Sequence, residues 1–261
     1  MIVVKFGGHA MTDEDGGFSH AIAGALANGE SVVVVHGGGP QIDKALSASG
    51  IESKFVGGFR YTTPQAFNVV ERVLVSEVGQ GLARSLCIGG VPAEAISGRT
   101  LPTLIARKKN SLVDGSAVEL GQVGDVVSVN TNAINTLLSS GKVPVLAPIA
   151  ADGISGEGLN VNADLAAAAI AGAMDASSLI ILTDVSGIYR NWPDKSSLIS
   201  SITYKELAAM KSTFKEGMAP KVQAILDAID HGAKAVRVVD GTDSKNFVAA
   251  LSGFGGTLVS A

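Results

Sequence analysis

Apolar residues follow two rhythms along this chain. Short apolar runs, namely Ile2–Val4, Val32–Val35, Val143–Ile149 and Leu179–Leu182 (the last continuing through Thr183-Asp184 to Val185), are strand-length and rich in branched side chains. Such runs read as buried parallel strands, because both faces of the strand must be covered to tolerate them. Between them, apolar residues recur every three or four positions. Phe18, Ile22, Ala25 and Leu26 mark one helix ending at Asn28-Gly29, and Pro40, Ile42, Ala45 and Leu46 mark another to about Ala48. Pro64 opens a long amphipathic helix through Phe67, Val70, Val73, Leu74, Val78 and Leu82. Further helices are predicted at Asn132–Leu138, Ala163–Ala173, Tyr204–Met210, Pro220–His231 and Ser244–Leu251. Further strands fall at Val91–Ile96, Val126–Val129, Ala235–Val239 and Thr257–Val259. Strands and helices alternate almost throughout, so the fold class is α/β, with a mainly parallel sheet sandwiched between helices.

Four segments break the alternation. Ile51–Thr63 alternates loosely around Gly57-Gly58 and reads as a β-hairpin, with Arg60 near its tip or on its return strand. Ser97–Gly124 is polar and glycine-rich, suggesting short antiparallel strands on a lobe surface. Ala150–Gly158 reads as a glycine-rich loop, and Ser186–Ser197 as a polar excursion. No period of roughly 20 to 50 residues repeats, which excludes a solenoid.

Length and composition then narrow the class of protein. At 261 residues the chain fits one large domain or two lobes. With 46% hydrophobic and 17% charged residues and 32 glycines, it suits a glycine-punctuated enzyme and not a disordered chain. A net charge of −4 gives no electrostatic case for a nucleic-acid or anionic-membrane partner. The first residues enter a strand with no signal-peptide pattern, and Leu165–Met174 is too short to span a bilayer, so a cytoplasmic protein is expected. Cys87 is the sole cysteine, which rules out an internal disulfide; it reads as a core thiol.

The chemistry is expected at one rim. In open parallel sheets, ligands gather at the carboxyl ends of the strands. That rule places Lys5-Phe-Gly-Gly, His36–Gly39, Ala147–Gly153 and Thr183–Gly187 together. Three glycines after four valines leave bare backbone at a helix start, where N–H groups and the helix dipole favour an anion. A tight turn alone needs fewer glycines. Lys5, at the end of an apolar strand, is costly to bury unless its ammonium meets an anion. Lys221 follows Pro220 at a helix start, where the dipole disfavours a cation unless a phosphate lies between them. Asn160-Val-Asn-Ala-Asp164 sets two amides on one face of an extended piece and offers Asp164 as an N-cap. Asp164 is also placed to orient both lysines by charge-assisted hydrogen bonds. Asp184-Val-Ser-Gly-Ile-Tyr189 carries the strongest strand into a polar turn that suits a nucleotide's sugar or phosphates, or is turn chemistry alone.

Several chemistries are missing from the sequence. No G-x-x-x-x-G-K-[ST] loop occurs, and no G-x-G-x-x-G follows the first strand. His9, His20, His36 and His231 show no metal-ligand spacing, His36 reads as structural, and no G-x-S-x-G elbow is present. Two lysines, a glycine nest and no evident general base fit phosphoryl transfer to a group already ionised, such as a carboxylate.

Taken in order, Lys5-Phe-Gly-Gly, His36-Gly-Gly-Gly, Gly58-Phe-Arg60, Leu120–Gly124, Asn160–Asp164, Thr183–Gly187 and Gly217-Met-Ala-Pro-Lys221 resemble the motifs of acetylglutamate kinases, within the amino-acid kinase superfamily. The resemblance covers essentially the whole chain. It implies a three-layer αβα sandwich in which residues 1–160, approximately, form a lobe that binds the acyl substrate and makes a homodimer. Residues 161–261 would form the lobe that binds ATP, with Mg2+ held mainly by the nucleotide's phosphates. The implied reaction is ATP-dependent phosphorylation of the γ-carboxylate of N-acetyl-L-glutamate, in arginine biosynthesis. Lys5 and Lys221 would stabilise the transferring phosphoryl group, and Asp164 would organise them. Gly38 and Gly39 would hold substrate and phosphate by backbone N–H, with Gly7 and Gly8 opposite. Arg60 would pair with a substrate carboxylate, and Asn160 would contact the substrate. Asp184, Val185, Ser186, Gly187, Ile188 and Tyr189, with Thr213, Phe214 and Lys215, would line the ATP site. Without the extra amino-terminal helix of arginine-inhibited members, a dimer free of arginine feedback is implied. Departures at His9, at Phe59 and Tyr61, and at Arg99–Pro102 bear mostly on the acyl-substrate lobe. Two other readings stand beside this one: a kinase for a carrier-protein-linked aminoadipate or glutamate, and a non-catalytic amino-acid or nucleotide sensor. Asn162-Ala-Asp164, without a glycine, favours the free acetylated substrate over the first.

Overall fold

The valine-rich runs lie side by side. In the computed structural model, which describes residues 1–7, 16–112, 114–214 and 218–261, β1 (Ile2–Phe6) leads into α1 (Gly17–Ala27), β2 (Val32–His36) and α2 (Gly39–Ala48). The hairpin β3 (Phe55–Val56) and β4 (Phe59–Arg60) follows, with Arg60 on the return strand. Next comes α3 (Pro64–Glu71), capped by the Thr63 side chain, which accepts from the Ala66 N–H at 3.1 Å. The helix continues through a π-helical segment, Arg72–Gly79, into α4 (Gln80–Ile88). Then come β5 (Ala93–Ser97), β6 (Leu104–Lys108), β7 (Val123–Val129), α5 (Asn132–Ser139), β8 (Val143–Ala147), β9 (Ile149–Asp152) and β10 (Gly158–Val161). The chain closes with α6 (Ala163–Ala173), β11 (Ser178–Thr183), β12 (Ser201–Thr203), α7 (Tyr204–Met210), α8 (Met218–Asp230), β13 (Ala235–Asp240), α9 (Ser244–Leu251) and β14 (Thr257–Ser260).

Among the described residues the main sheet has eight strands in the order β12-β14-β13-β11-β1-β2-β8-β5. Only β13 and β14 pair antiparallel. The four runs expected at the rim, β11, β1, β2 and β8, are adjacent and parallel, so their carboxyl ends line one edge.

Alternate residues on these strands feed two cores. Val3, Val33, Val35, Leu146, Leu179 and Ile181 pack with α6 and α8 on one face. Val4, Phe6, Val34, Val145, Ile180 and Leu182 pack with α1, α4 and α9 on the other. The result is the expected helix–sheet–helix arrangement. Phe6, Phe18 and Phe247 form an aromatic cluster in the second core, with ring centroids 5.6–6.1 Å apart.

Three expectations are corrected here. Ala150–Gly158 is not a loop, because β9 and β10 occupy most of it and pair antiparallel across a turn. The run Val143–Ile149 is not one strand. Pro148 lacks the N–H needed to continue the ladder, and the chain leaves the main sheet there. Beyond it, β9 joins β10, β7 and β6 in a small closed barrel whose interior holds Leu104, Ala106, Ala150 and Leu159. Cys87 is exposed on the outer face of α4 and is not a core thiol. No described helix is long and apolar enough to cross a membrane.

Candidate active site

The carboxyl end of β1 sets the site's charge. Lys5 shares a face with Val3, toward α6 and α8, and its ammonium lies 3.0 Å from Asp164 Oδ1. Lys221, in the first described turn of α8, donates to the other oxygen, Oδ2, at 2.8 Å. One buried carboxylate thus sits between two ammoniums. Asp164 is not the N-cap of α6. Asn162 takes that place, its side chain accepting from the Asp164 and Leu165 N–H groups at 2.8 and 3.3 Å. An asparagine cap leaves the aspartate two residues further in, within the first turn at the positive end of the helix dipole and free to face the lysines.

The electrostatics follow from this geometry. Burial acts against the Asp164 carboxylate, but Lys5 and Lys221 outweigh it and hold its pKa well below the usual carboxylate range. Burial lowers the Lys5 pKa, and Lys221 adds to the effect, even though Asp164 opposes both. Burial also acts against Lys221, yet attraction to Asp164 prevails and its pKa is raised. Lys221 is the more exposed of the two, so it keeps its proton more firmly. Asp164 Oδ1 accepts no aligned hydrogen bond among the described residues. A Cβ on Gly7 would stand 2.6 Å from the Lys5 Nζ, so only glycine there lets the ammonium reach its place.

The glycine nest lies next to this cluster. Gly37 N–H donates to the Phe6 carbonyl at 2.8 Å, and the Gly38 carbonyl accepts from Ile42 N–H at 2.9 Å. The N–H groups of Gly38 and Gly39 have no acceptor among the described residues. Two unpaired donors at the start of α2 suit an anion. Gly38 also packs closely, since a Cβ there would fall 2.6 Å from Leu74 Cδ2.

A cavity of about 190 Å³ opens from the nest toward β4 and the start of α6. Gly38, Gly39, Arg60, Asn160 and Asn162 line it. It is small beside the ~300–1,000 Å³ clefts of drug-sized ligands, which suits a compact metabolite. Arg60 is buried and already paired: Nη1 donates to Asp43 Oδ1 at 2.5 Å and to the Ser53 hydroxyl, and the guanidinium stacks 4.5 Å from the Phe55 ring centroid. Asp43 and Ser53 were not singled out by sequence, because a polar residue on the outer face of α2 looks like any solvated one. Asn160 is held by Thr62, to whose hydroxyl it donates at 3.2 Å. A second cavity, of about 270 Å³, lies beyond Phe59 between the barrel and α6/α8; it holds none of the sequence-predicted site residues.

The remaining predicted residues divide. Asp184 is exposed at the carboxyl end of β11, close enough for its charge to favour the protonated form of both lysines as a minor contribution. Val185 and Ser186 follow it into the turn. Gly187 approaches Thr257 closely, Ile188 lies in the core with its N–H donated to the Thr257 hydroxyl at 2.8 Å, and Tyr189 is buried against Trp192. The side chains of Ile188 and Tyr189 thus pack beneath the turn and support it. Thr213 and Phe214 lie just ahead of α8, the Thr213 hydroxyl donating to the Met210 carbonyl at 2.7 Å. Gly8 and Lys215, like His9 and Gly217, lie outside the described residues.

A family profile described as "Amino acid kinase family" matches residues 1–240. The chain belongs to the amino acid kinase family. Among curated relatives of this amino acid kinase, an acetylglutamate kinase from Arthrobacter sp. (strain FB24) is 46% identical over 247 residues, covering 92% of this chain and 80% of the relative. One from Paenarthrobacter aurescens (strain TC1) is 45% identical over 251 residues, covering 92% and 79%. Among solved structures, smu.665 from Streptococcus mutans UA159 superposes with a TM-score of 0.83 at 27% identity, covering 100% of this chain and 98% of that one. A carbamate kinase from Giardia lamblia bound to AMP-PNP shares the fold, with a TM-score of 0.69 at 18% identity over 99% of this chain and 97% of that one.

Proposed function

We propose that this amino acid kinase is an acetylglutamate kinase. It transfers a phosphoryl group from ATP to the γ-carboxylate of N-acetyl-L-glutamate, giving N-acetyl-L-glutamyl 5-phosphate in arginine biosynthesis. The observation that carries the reading is the Lys5–Asp164–Lys221 cluster beside the two unpaired N–H groups of Gly38 and Gly39. Two ammoniums against one carboxylate leave a positive charge in a buried place, which a phosphoryl group in transfer neutralises. MgATP, when bound, supplies that group and the metal that travels with its phosphates.

The chain's own residues do the rest. Gly38 and Gly39 donate to the substrate's γ-carboxylate and the phosphoryl oxygens. The acceptor is ionised at neutral pH, so no base is needed, and positioning with charge neutralisation supplies the catalysis. Asp164 attracts and aims both ammoniums. Arg60 presents its remaining N–H donors to the substrate's other carboxylate, and Asn160 adds an amide. Asp184–Gly187, Thr213 and Phe214 border the nucleotide. The amino-terminal lobe carries β5, whose outer edge pairs with no strand among the described residues, and forms a homodimer through that side.

The test is to supply ATP and N-acetyl-L-glutamate and trap the acyl phosphate with hydroxylamine. Hydroxamate is expected with the parent enzyme, and Lys5→Ala or Lys221→Ala lowers turnover by about 10²–10³-fold. Signal with another acid but none with N-acetyl-L-glutamate would move the substrate assignment. Full turnover in both lysine variants would remove the site assignment.

A further inference from the structure

We propose that His36 is a positioning residue for the anion cradle, acting through the Gly37 carbonyl to aim the Gly38 N–H. His36 ends β2 on the sheet face opposite Lys5 and is fully buried. Its Nδ1 lies 2.8 Å from the Gly37 carbonyl oxygen. A carbonyl only accepts, so Nδ1 carries the proton and Nε2 is bare. Burial lowers the ring's pKa to about 4, which keeps it neutral in working conditions.

The geometry of one peptide plane connects this contact to the ligand. The Gly37 carbonyl and the Gly38 N–H belong to the same planar trans unit and point in opposite directions. A ring that holds the carbonyl on one side fixes the N–H on the other. The neighbouring contacts complete the clamp, with Gly37 N–H on the Phe6 carbonyl and the Gly38 carbonyl on Ile42 N–H. Three glycines in sequence would otherwise leave this plane free to turn.

The far side of the ring argues against a packing role alone. Nε2 is buried without a partner among the described residues. The π-helical segment reaches it at Gly79, where a Cβ would stand 3.0 Å from Nε2 and 3.0 Å from the Leu74 carbonyl oxygen. A buried acceptor left unpaired is destabilising, so packing would be better served by an apolar ring of the same shape. What histidine supplies and phenylalanine does not is the Nδ1 donor.

Three variants test this, and the proposal rests on the nest being the site of transfer. His36→Phe keeps the ring and removes the donor. It should keep or raise the thermal midpoint while kcat falls by about 10- to 100-fold, the scale of a small misplacement of reacting groups. His36→Asn sets an amide N–H near the Nδ1 place and should recover most of the lost rate. His36→Gln reaches toward the Nε2 place instead and should stay as low as the phenylalanine variant. Parent-level turnover in His36→Phe, or equal recovery by Asn and Gln, overturns the proposal. Should the phenylalanine variant fail to fold, the Asn–Gln comparison decides alone. Lys5→Ala, assayed alongside, separates the two claims. If it is inactive while His36→Phe runs at full rate, only the role of His36 falls; if it retains turnover, the site reading falls.

Discussion

The two ends of the cleft solve the same problem differently. At the rim of β1 and β11, Lys5 and Lys221 share one carboxylate, whose side chain is only 6% exposed. On the hairpin, Arg60 has a carboxylate of its own, and that partner, Asp43, is 48% exposed. The first arrangement is short of negative charge and closed off from water. The second is balanced, with one member in solvent. A site short of negative charge suits a group that arrives with more of it and is transferred. A balanced site with a solvated partner suits a carboxylate that must bind, exchange and leave. Arg60 lines the same cavity as Gly38 and Gly39, and Lys5 ends the strand next to the one that leads into them.

The comparison is broken most directly at Asp164. Asp164→Asn leaves two buried ammoniums uncompensated and should cost about 3–5 kcal/mol, read from the urea midpoint at neutral pH. A loss under about 1 kcal/mol would mean the cluster is far better hydrated than its burial implies.

Acid separates the nest from the carboxylates. Asp164 and Asp43 are both held below the usual carboxylate range, so their contributions persist until the pH falls below about 4. His36 has its folded pKa lowered to about 4, so between there and its unfolded value near 6.5 the unfolded chain binds the extra proton. Stability should therefore be full above about pH 6.5 and fall by about 3 kcal/mol on the way down to pH 4. His36→Asn should flatten that part of the curve, and an unchanged slope would assign the proton elsewhere.

Smaller effects sharpen the Arg60 side. Arg60→Lys keeps the charge but loses the planar fork, and should raise KM for the acyl substrate about tenfold with less effect on kcat. Asp43→Asn should change stability by less than about 1 kcal/mol, and the difference should shrink further in high salt. If Asp43→Asn proves as costly as Asp164→Asn, the contrast between the two ends is wrong.

The parts of the molecule set by local pattern were readable in the sequence. Val32–Val35 and Leu179–Leu182 sit in stretches whose residue types read as buried strand, and both are buried strands; Lys5, which also read as a lysine turned out to solvent at the strand end, is buried against Asp164. What escaped depends on partners distant in the chain. The barrel draws β6, β7, β9 and β10 from segments that are short and half polar, so none carries a strong period of its own. Asn162 takes the cap from Asp164 because two lysines, one of them 57 residues away, compete for the carboxylate. Asp43 is bound to Arg60 across a turn that spacing alone does not close. The π-helical segment is equally silent, since its residues keep a helical rhythm.

Neighbouring residues on β1 carry opposite instructions for assembly. Lys5 points toward Asp164, while Phe6 points into the aromatic cluster with Phe18 and Phe247. A pairing error of one residue would exchange them, sending an ammonium against the rings of Phe18 and Phe247 and a phenyl group against the Asp164 carboxylate. Few mistakes in a central strand are so heavily penalised. Beyond its place beside Asp164, the lysine therefore also favours the native register of the central sheet over a slipped one.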